Sequence, residues 1–171
     1  MELDDIDFNI LALLQEDGRI AHTAIAKLVE LSSPSVSARI ARLERDGFIA
    51  RYTAVLNAEK VGQGLLAFVR VRTGASEDDS LAFEQYARRA PEVLECHDID
   101  GEDSYILKVR TNSTQLLREL IVRIRSFPDV TRTITSIVLQ TLREEPLTAP
   151  LRQPSKSFSP GEAEYVPEAI E

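Results

Sequence analysis

The chain has 171 residues, 43% of them hydrophobic and 28% charged, and its formal net charge is −8. This composition is typical of globular proteins and excludes a chain that is disordered throughout, while no apolar run approaches the roughly 20 residues that cross a bilayer. The N-terminus is acidic where a signal peptide would be basic, and the lone cysteine, Cys96, excludes an intrachain disulfide, so we expect a cytoplasmic protein.

The N-terminal part of the chain is predicted to form three short helices followed by a β element. Ile6 and Ile10 lie four residues apart on one helical face, behind acids that suit a helix start. Thr23 is the expected cap of a second helix, which a tight turn follows. Residues 48–55 have the pattern of an extended hairpin or strand. These elements predict a winged helix-turn-helix domain over residues 1–51.

The third helix carries the candidate DNA-binding surface. We expect Ser33 to cap it, Pro34 to take its first position and Gly47 to end it, with an apolar stripe running from Val36 to Leu43. Arginine can bond the edge of guanine or a phosphate, and small residues let a helix enter the major groove. The candidate DNA-binding residues on the outward side are Ser33, Ser35, Ala38, Arg39, Arg42 and Arg45.

A second interpretation of this outward face is a solvated surface, on which Arg42 and Arg45 pair with Glu44 or Asp46. The helix, turn and cap that precede it favour DNA binding, and double-stranded DNA is therefore the expected partner. The acidic net charge opposes this only weakly, because half of it comes from residues 144–171, which hold six acids and two bases.

After a linker at residues 52–64, alternating strands and helices predict a second domain. Strands are expected at residues 65–73, 93–99, 105–110 and 130–142, and helices at residues 80–90 and 114–126. This β-α-β-β-α-β order is that of a ferredoxin-like sandwich, so the chain is α+β, with this domain over residues 65–143. Apolar residues on both faces of the first strand, such as Phe68 and Val69, predict a homodimer, because two helices cover only one face. Prolines and acids without apolar periodicity predict a flexible tail over residues 144–171.

Several motifs along residues 2–142 are specific enough to indicate a family. The longest is LSSPSVSARIARLERDGFI at residues 31–49, and shorter ones lie at residues 3–7, 17–19, 52–56 and 128–130 and at Gly101, Tyr105 and Leu107. In these motifs the chain resembles the Lrp/AsnC family of bacterial and archaeal transcriptional regulators. The resemblance implies a sequence-specific DNA-binding regulator whose DNA affinity or assembly responds to an amino acid bound at the junction between dimers. It also implies dimers formed through the sheets and their assembly into octamers.

The turn between the second and third strands is the candidate effector site. Gly101 lets the backbone approach a ligand, and a carboxylate, Glu102 or Asp103, could accept an ammonium group. The family commonly has an acid directly before the tyrosine of this loop, whereas this chain has Ser104. The alternatives are a plain polar turn and threonines that are ordinary strand formers. The candidate effector-binding residues are Gly101, Glu102, Asp103, Ser104, Thr133, Thr135 and Ser136.

Other chemistry has little support in the sequence. Cys96 and His97 are adjacent, so on a strand they point to opposite faces, which argues against a shared metal site. A Gly-rich phosphate loop and a nucleophile elbow are both missing, so we expect neither an enzyme nor a cofactor. Two alternatives to a sensing regulator stay open. One is an architectural DNA-binding protein that senses nothing, and the other is a ligand-binding regulatory subunit of an enzyme.

Overall fold

The computed structural model describes residues 2–74 and 77–144, which divide into two compact units. The first unit ends at Ala54 and the second is Val55–Glu144, so the division falls within the predicted linker at residues 52–64. No helix in the described part of the chain is long and apolar enough to cross a membrane.

Three helices make up the first unit: α1 (Asp5–Glu16), α2 (His22–Leu28) and α3 (Ser33–Arg45). α1 begins with a capping box, in which the Asp4 side chain accepts a hydrogen bond from the Asp7 N–H and the Asp7 side chain accepts one from the Asp4 N–H. Each helix turns its apolar stripe inward, and the stripes form one core. The buried members of this core are Ile10, Ile25, Ala26, Val36, Ile40 and Leu43.

The turn between α2 and α3 contains a left-handed residue. Glu30 has a φ of 55°, a conformation that residues other than glycine rarely adopt. Across this residue the Leu31 N–H donates to the Ala26 carbonyl at 3.0 Å, the bond that closes a helix ending in a left-handed residue. The tight turn predicted after the second helix is therefore confirmed.

Two predicted caps are wrong by one or two positions. α2 begins directly after Ala21 rather than being capped by Thr23, because the Ala21 carbonyl already accepts the first helical hydrogen bonds. α3 is capped by Ser32 rather than Ser33, since the Ser32 hydroxyl accepts from the Ser35 N–H at 3.3 Å. Neighbouring serines offer equivalent side chains, and the backbone conformation decides which of them caps the helix.

Residues 48–55, predicted as a hairpin or strand, form neither. Gly47 ends α3 as predicted and has a φ of 79°, which favours glycine. A strand needs a neighbour with which to exchange hydrogen bonds, and no segment that the structure describes pairs with this one. The prediction of a β element here is therefore wrong for the described chain.

The second unit is a four-stranded antiparallel sheet with two helices packed on one face. Its elements are β1 (Leu65–Thr73), α4 (Glu77–Arg89), β2 (Val93–Asp98), β3 (Tyr105–Thr111), α5 (Thr114–Arg125) and β4 (Val130–Ile137). The strand order is β2-β3-β1-β4, so the predicted ferredoxin-like fold of the α+β class is confirmed. The largest fully buried hydrophobic side chains between sheet and helices are those of Val69, Val71, Phe83, Leu107, Val109, Leu120 and Ile124.

β4 is shorter than predicted. It ends at Ile137, whereas the predicted strand runs to Leu142. The Val138 N–H still donates to the Leu66 carbonyl at 2.9 Å, but β1 begins at Leu65. The chain beyond this point therefore has no strand to pair with, and an apolar pattern alone cannot extend the sheet.

The last described residue is held on the sheet. Glu144 forms ion pairs with Lys108 at 2.6 Å and with Arg110 at 2.9 Å, both on β3. The hydrogen bond between Lys108 and Glu144 lowers the pKa of the carboxyl and raises the pKa of the ammonium group. Glu144, predicted as the first residue of a flexible tail, is thus part of the second unit. The rest of the predicted tail, residues 145–171, lies outside the described residues.

Candidate DNA-binding and effector-binding sites

α3 has an apolar side in the core and a side of small residues in solvent. Val36 and Leu43 are fully buried, whereas Ser35 and Ala38 are exposed and Ser33 is half-buried. Small side chains keep the surface of a helix close to its backbone. This side of α3 can therefore approach a groove wall closely.

Two of the three predicted DNA-contact arginines are held by acids of α1. The Arg39 Nη1 atom donates to Asp4 Oδ2 at 2.8 Å and to Asp7 Oδ1 at 2.7 Å. The Arg42 Nη2 atom donates to Asp7 Oδ2 at 2.5 Å. The Asp7 side chain is 1% exposed, while those of Arg39 and Arg42 are 26% and 32% exposed. One buried carboxylate thus links Arg39 and Arg42 to the capping box of α1.

The electrostatics of the pair of Asp4 and Arg39 favour its charged state. The pKa of Asp4 is lowered, first by the hydrogen bond from the Asp7 backbone and then by the hydrogen bond from Arg39. The pKa of Arg39 is raised by its hydrogen bonds to Asp4 and Asp7. Because each shift stabilises the ionised form, the pair of Asp4 and Arg39 stays charged at neutral pH.

The pairing that the solvated-surface interpretation predicts is found for Arg45 but not for Arg42. Arg45 is 71% exposed and pairs with Asp46 at 3.2 Å, as that interpretation predicts. Arg42 pairs instead with the buried acid of α1. Glu44 accepts a hydrogen bond from the Tyr52 hydroxyl at 3.0 Å. Burial and this hydrogen bond raise the pKa of Tyr52 to about 12.

The sequence did not reveal the side chains that support α3. Asp4 and Asp7 had a visible role only as capping acids, and His22, whose Nδ1 lies 2.8 Å from the Ser37 hydroxyl, had none. Asp7 and Arg39 are 32 residues apart. Spacing rules on a single helix cannot pair residues at that separation, and only the packing of α1 against α3 brings them together.

The candidate effector loop is tied to β1 by Ser104. The Ser104 hydroxyl accepts hydrogen bonds from the Thr73 N–H at 3.1 Å and the Thr73 hydroxyl at 3.0 Å. The Ser104 N–H donates to the Val71 carbonyl at 2.9 Å. Gly101 has a φ of 130°, so this turn requires glycine at that position. The hydrogen bonds of Ser104 therefore hold the loop against β1, and its hydroxyl is used within the domain.

The two acids predicted for the effector site, Glu102 and Asp103, differ in their surroundings. Asp103 is 7% exposed and lies 3.7 Å from Arg70 Nη1 and 3.9 Å from Arg72 Nε. Glu102 is 86% exposed and pairs with Arg72 Nη2 at 3.1 Å. Asp103 Oδ1 and Arg72 Nε are buried without a hydrogen-bond partner among the residues described. Glu102 is thus the acid that solvent can reach, and Asp103 lies beside two guanidinium groups.

The candidates on β4 are divided between the two faces of the sheet. Thr133 and Thr135 pair with buried residues of β1 and so lie on the face that the helices cover. Ser136 pairs with Phe68 and lies on the other face. The Thr133 hydroxyl accepts a hydrogen bond from Arg125 Nε at 2.7 Å. Ser136 is therefore on the opposite face of the sheet from Thr133 and Thr135.

A helix-turn-helix unit followed by a separate α+β unit defines a DNA-binding regulator with its own ligand-binding domain, and the comparisons with known proteins agree. Residues 3–50 match the winged helix-turn-helix DNA-binding family, and residues 66–148 match the Lrp/AsnC ligand binding domain.

Similar proteins are known along most of the chain. The proline dehydrogenase transcriptional activator of Rhizobium radiobacter is 37% identical over 145 residues, covering 84% of this chain and 93% of that protein. The leucine-responsive regulatory protein of Escherichia coli K12 is 37% identical over 147 residues, covering 84% and 88%. A transcriptional regulator from Neisseria meningitidis, solved in complex with L-methionine, has a TM-score of 0.81 at 31% identity, covering 85% and 95%. The chain belongs to the Lrp/AsnC family and is a DNA-binding transcriptional regulator.

Proposed function

We propose that α3 is the recognition helix and enters the major groove of operator DNA. The observation that carries this proposal is the division of α3 into a buried apolar side and an exposed side of small residues, Ser35 and Ala38. Arginines border that side, and each guanidinium has five donors, so a group that binds an acid still has donors for DNA. The proposed DNA contacts are those expected from the sequence: Ser33, Ser35, Ala38, Arg39, Arg42 and Arg45.

The effector is proposed to be an amino acid bound at the loop of residues 100–104. The names of relatives support this class of ligand, since one is leucine-responsive and another was solved with L-methionine. A free amino acid carries a carboxylate and an ammonium group close together. Arg70 and Arg72 lie beside the loop as cations for the carboxylate, and Glu102 is the exposed acid for the ammonium group.

A homodimer is proposed, formed through the sheet face that α4 and α5 leave uncovered. Phe68 is 36% exposed on this face, and Ile106 and Ile134, which pair with Arg70 on the same face, are half-buried. Apolar residues on an uncovered sheet face are stabilised by burial against a partner. Two chains would also present two recognition helices to a pseudo-palindromic site. Octamers are proposed from the resemblance to the family alone.

The cellular location and the absence of catalysis are proposed from this role. We propose that the chain works in the cytoplasm, where a bacterial or archaeal chromosome is bound. We also propose that it has no catalytic activity, because the charged residues that the structure brings together form ion pairs that stabilise its helices and loops. Assays of the purified protein for hydrolytic and transferase activity test the second statement.

The proposed function is tested by recovering bound fragments from sheared genomic DNA, with and without a panel of amino acids. Enrichment of defined sequences, and a change in their recovery with one amino acid, is the expected result. Recovery of fragments without sequence preference would contradict it.

The architectural alternative keeps one specific observation in its favour. Ser104 is used inside the loop and Asp103 is beside two arginines, so of the acids predicted for the effector site Glu102 alone is exposed to receive an ammonium group. Calorimetry with twenty amino acids distinguishes the two functions. A protein that binds DNA but no amino acid would favour the architectural one.

A further inference from the structure

We infer that Asp7 is a positioning residue for DNA recognition, which holds Arg39 and Arg42 in the orientation in which α3 binds its site. The inference rests on the proposed role of α3. Asp7 accepts from Arg39 on one carboxylate oxygen and from Arg42 on the other, at 2.7 and 2.5 Å. A single rigid carboxylate therefore fixes the position of one guanidinium relative to the next.

Capping does not account for this arrangement. The Asp4 side chain caps α1 at 2.8 Å, whereas the return bond from the Asp4 N–H to Asp7 is longer, at 3.3 Å. An acidic residue whose only role is to stabilise the first turn of a helix can do so while exposed to water. Asp7 is 1% exposed instead, which costs free energy unless charged partners compensate for it. Its charged partners are Arg39 and Arg42 of α3.

Burial also makes the contact directional. An exposed ion pair exchanges partners with water, while a charged hydrogen bond shielded from water is stronger and holds its geometry. Arg39 and Arg42 are each only partly buried. Each arginine is thus fixed at one edge and accessible at another, which suits a side chain that must meet a base or phosphate at a set place.

The sign of the electrostatic effect separates positioning from simple charge. Asp4 and Asp7 place negative charge beside a surface proposed to face phosphates. A protein that binds DNA by charge alone would bind all DNA more tightly when such an acid is neutralised. A positioning acid has the opposite effect on the specific site, because the freed arginines no longer have one orientation.

The experiment compares Asp7→Asn with wild type. Kd is measured for the tightest duplex selected by the wild-type protein from random sequences, and for a shuffled duplex of the same composition. The asparagine keeps one acceptor oxygen and so can hold only one arginine. Asp4→Asn is a second variant, which keeps the test possible if Asp7→Asn does not fold. Asparagine is also a good N-cap, so this variant should keep the start of α1. Glu2→Gln, which neutralises an exposed acid near the same helix end, is the matched control.

We expect Asp7→Asn to reduce the ratio of specific to shuffled affinity about tenfold, the value of one lost side-chain contact to a base. Asp4→Asn should reduce this ratio less, because Asp4 contacts only one of the two arginines, Arg39. Glu2→Gln should leave the ratio unchanged. In a background with Arg39→Gln and Arg42→Gln, Asp7→Asn should have no further effect on the ratio.

Two results would overturn the inference. A ratio that stays at the wild-type value in folded Asp7→Asn and Asp4→Asn proteins would show that Asp7 only stabilises the unit. A ratio that falls equally with and without the two arginines would show that Asp7 acts through other groups. If the wild-type protein selects no duplex at all, the proposed function itself is wrong, and the inference falls with it.

Discussion

Arg42 of α3 donates a hydrogen bond to the buried carboxylate of Asp7 on α1 at 2.5 Å. This pair, together with the ion pairs of Arg39 with Asp4 and Asp7, joins α3 to α1 and to its N-cap. It also makes Arg42 part of the fold, whatever it contacts on DNA.

Replacing Arg42 with alanine should therefore destabilise the protein. A buried acid that loses a charged hydrogen bond costs about 1–3 kcal/mol, and the 32% exposure of Arg42 places the expected loss in the lower half of that range. Urea unfolding followed by circular dichroism measures the change. Arg45→Ala is the control, because Arg45 is 71% exposed and surface changes are usually within about 0.5 kcal/mol. Equal stability of the two variants would show that the bond to Asp7 contributes nothing.

The ion pair between Glu144 and Lys108 predicts a dependence of stability on pH. Lys108 holds the pKa of Glu144 below its usual value, so this contribution is present at neutral pH and is lost as pH falls through that lowered pKa. Glu144→Gln should be less stable than wild type at neutral pH and equal to it in acid. Since the Glu144 side chain is 37% exposed, the difference should be below about 1 kcal/mol.

Truncation gives a sharper form of the same test. A chain that ends after Glu145 keeps the ion pairs of Glu144 and should fold, associate and bind DNA like the full chain. A chain that ends at Arg143 should have the stability of Glu144→Gln. If the two truncated chains have the same unfolding midpoint at neutral pH, Glu144 does not anchor the end of the domain.

Much of the fold could be predicted from the sequence because its elements have strong local patterns. The bounds of β1 were predicted correctly, since residues 67–71 in its centre alternate between a buried and an open face. The end of β4 and the strand at residues 48–55 were not, because a strand depends on a neighbour that its own sequence does not specify.

The candidate sites show the same limit. The outward placement of Arg39 and Arg42 followed from helical periodicity, but their bonds to Asp7 depend on how α1 packs on α3. Ser104 was recognised as a departure from the family. Its hydrogen bonds to Thr73 became evident only from the register of the strands.

The exposures of Glu102 and Asp103 predict different roles for these two acids. Glu102→Gln should weaken binding of an amino acid effector by roughly ten- to a hundredfold, the value of a lost charged hydrogen bond, while leaving stability unchanged. Asp103→Asn should destabilise the domain, because Arg70 and Arg72 lose the buried carboxylate between them. Calorimetric titration and thermal unfolding of both variants measure the two effects. An effector that binds Glu102→Gln as tightly as wild type would remove this acid from the site.

The uncovered sheet face predicts the oligomeric state. Phe68→Asp puts a charge at the centre of the proposed dimer interface and should convert dimers to monomers at micromolar concentration, measured by light scattering. Leu116→Asp is the matched control, since Leu116 is similarly exposed, at 40%, but lies on α5. A Phe68→Asp protein that is folded and has the mass of the wild type would place the interface elsewhere.

If α3 reads DNA, Ala38→Glu should abolish recognition of a specific sequence. Ala38 is exposed in the middle of α3, and glutamate is a good helix former, so the helix should persist while a charge and extra bulk face the phosphates. Asn9→Glu adds the same charge on the exposed side of α1 as a control. The measurement is selection of duplexes from random sequences by each protein. We expect wild type and Asn9→Glu to enrich one common motif and Ala38→Glu to enrich none. The same motif enriched by folded Ala38→Glu would show that another surface binds DNA.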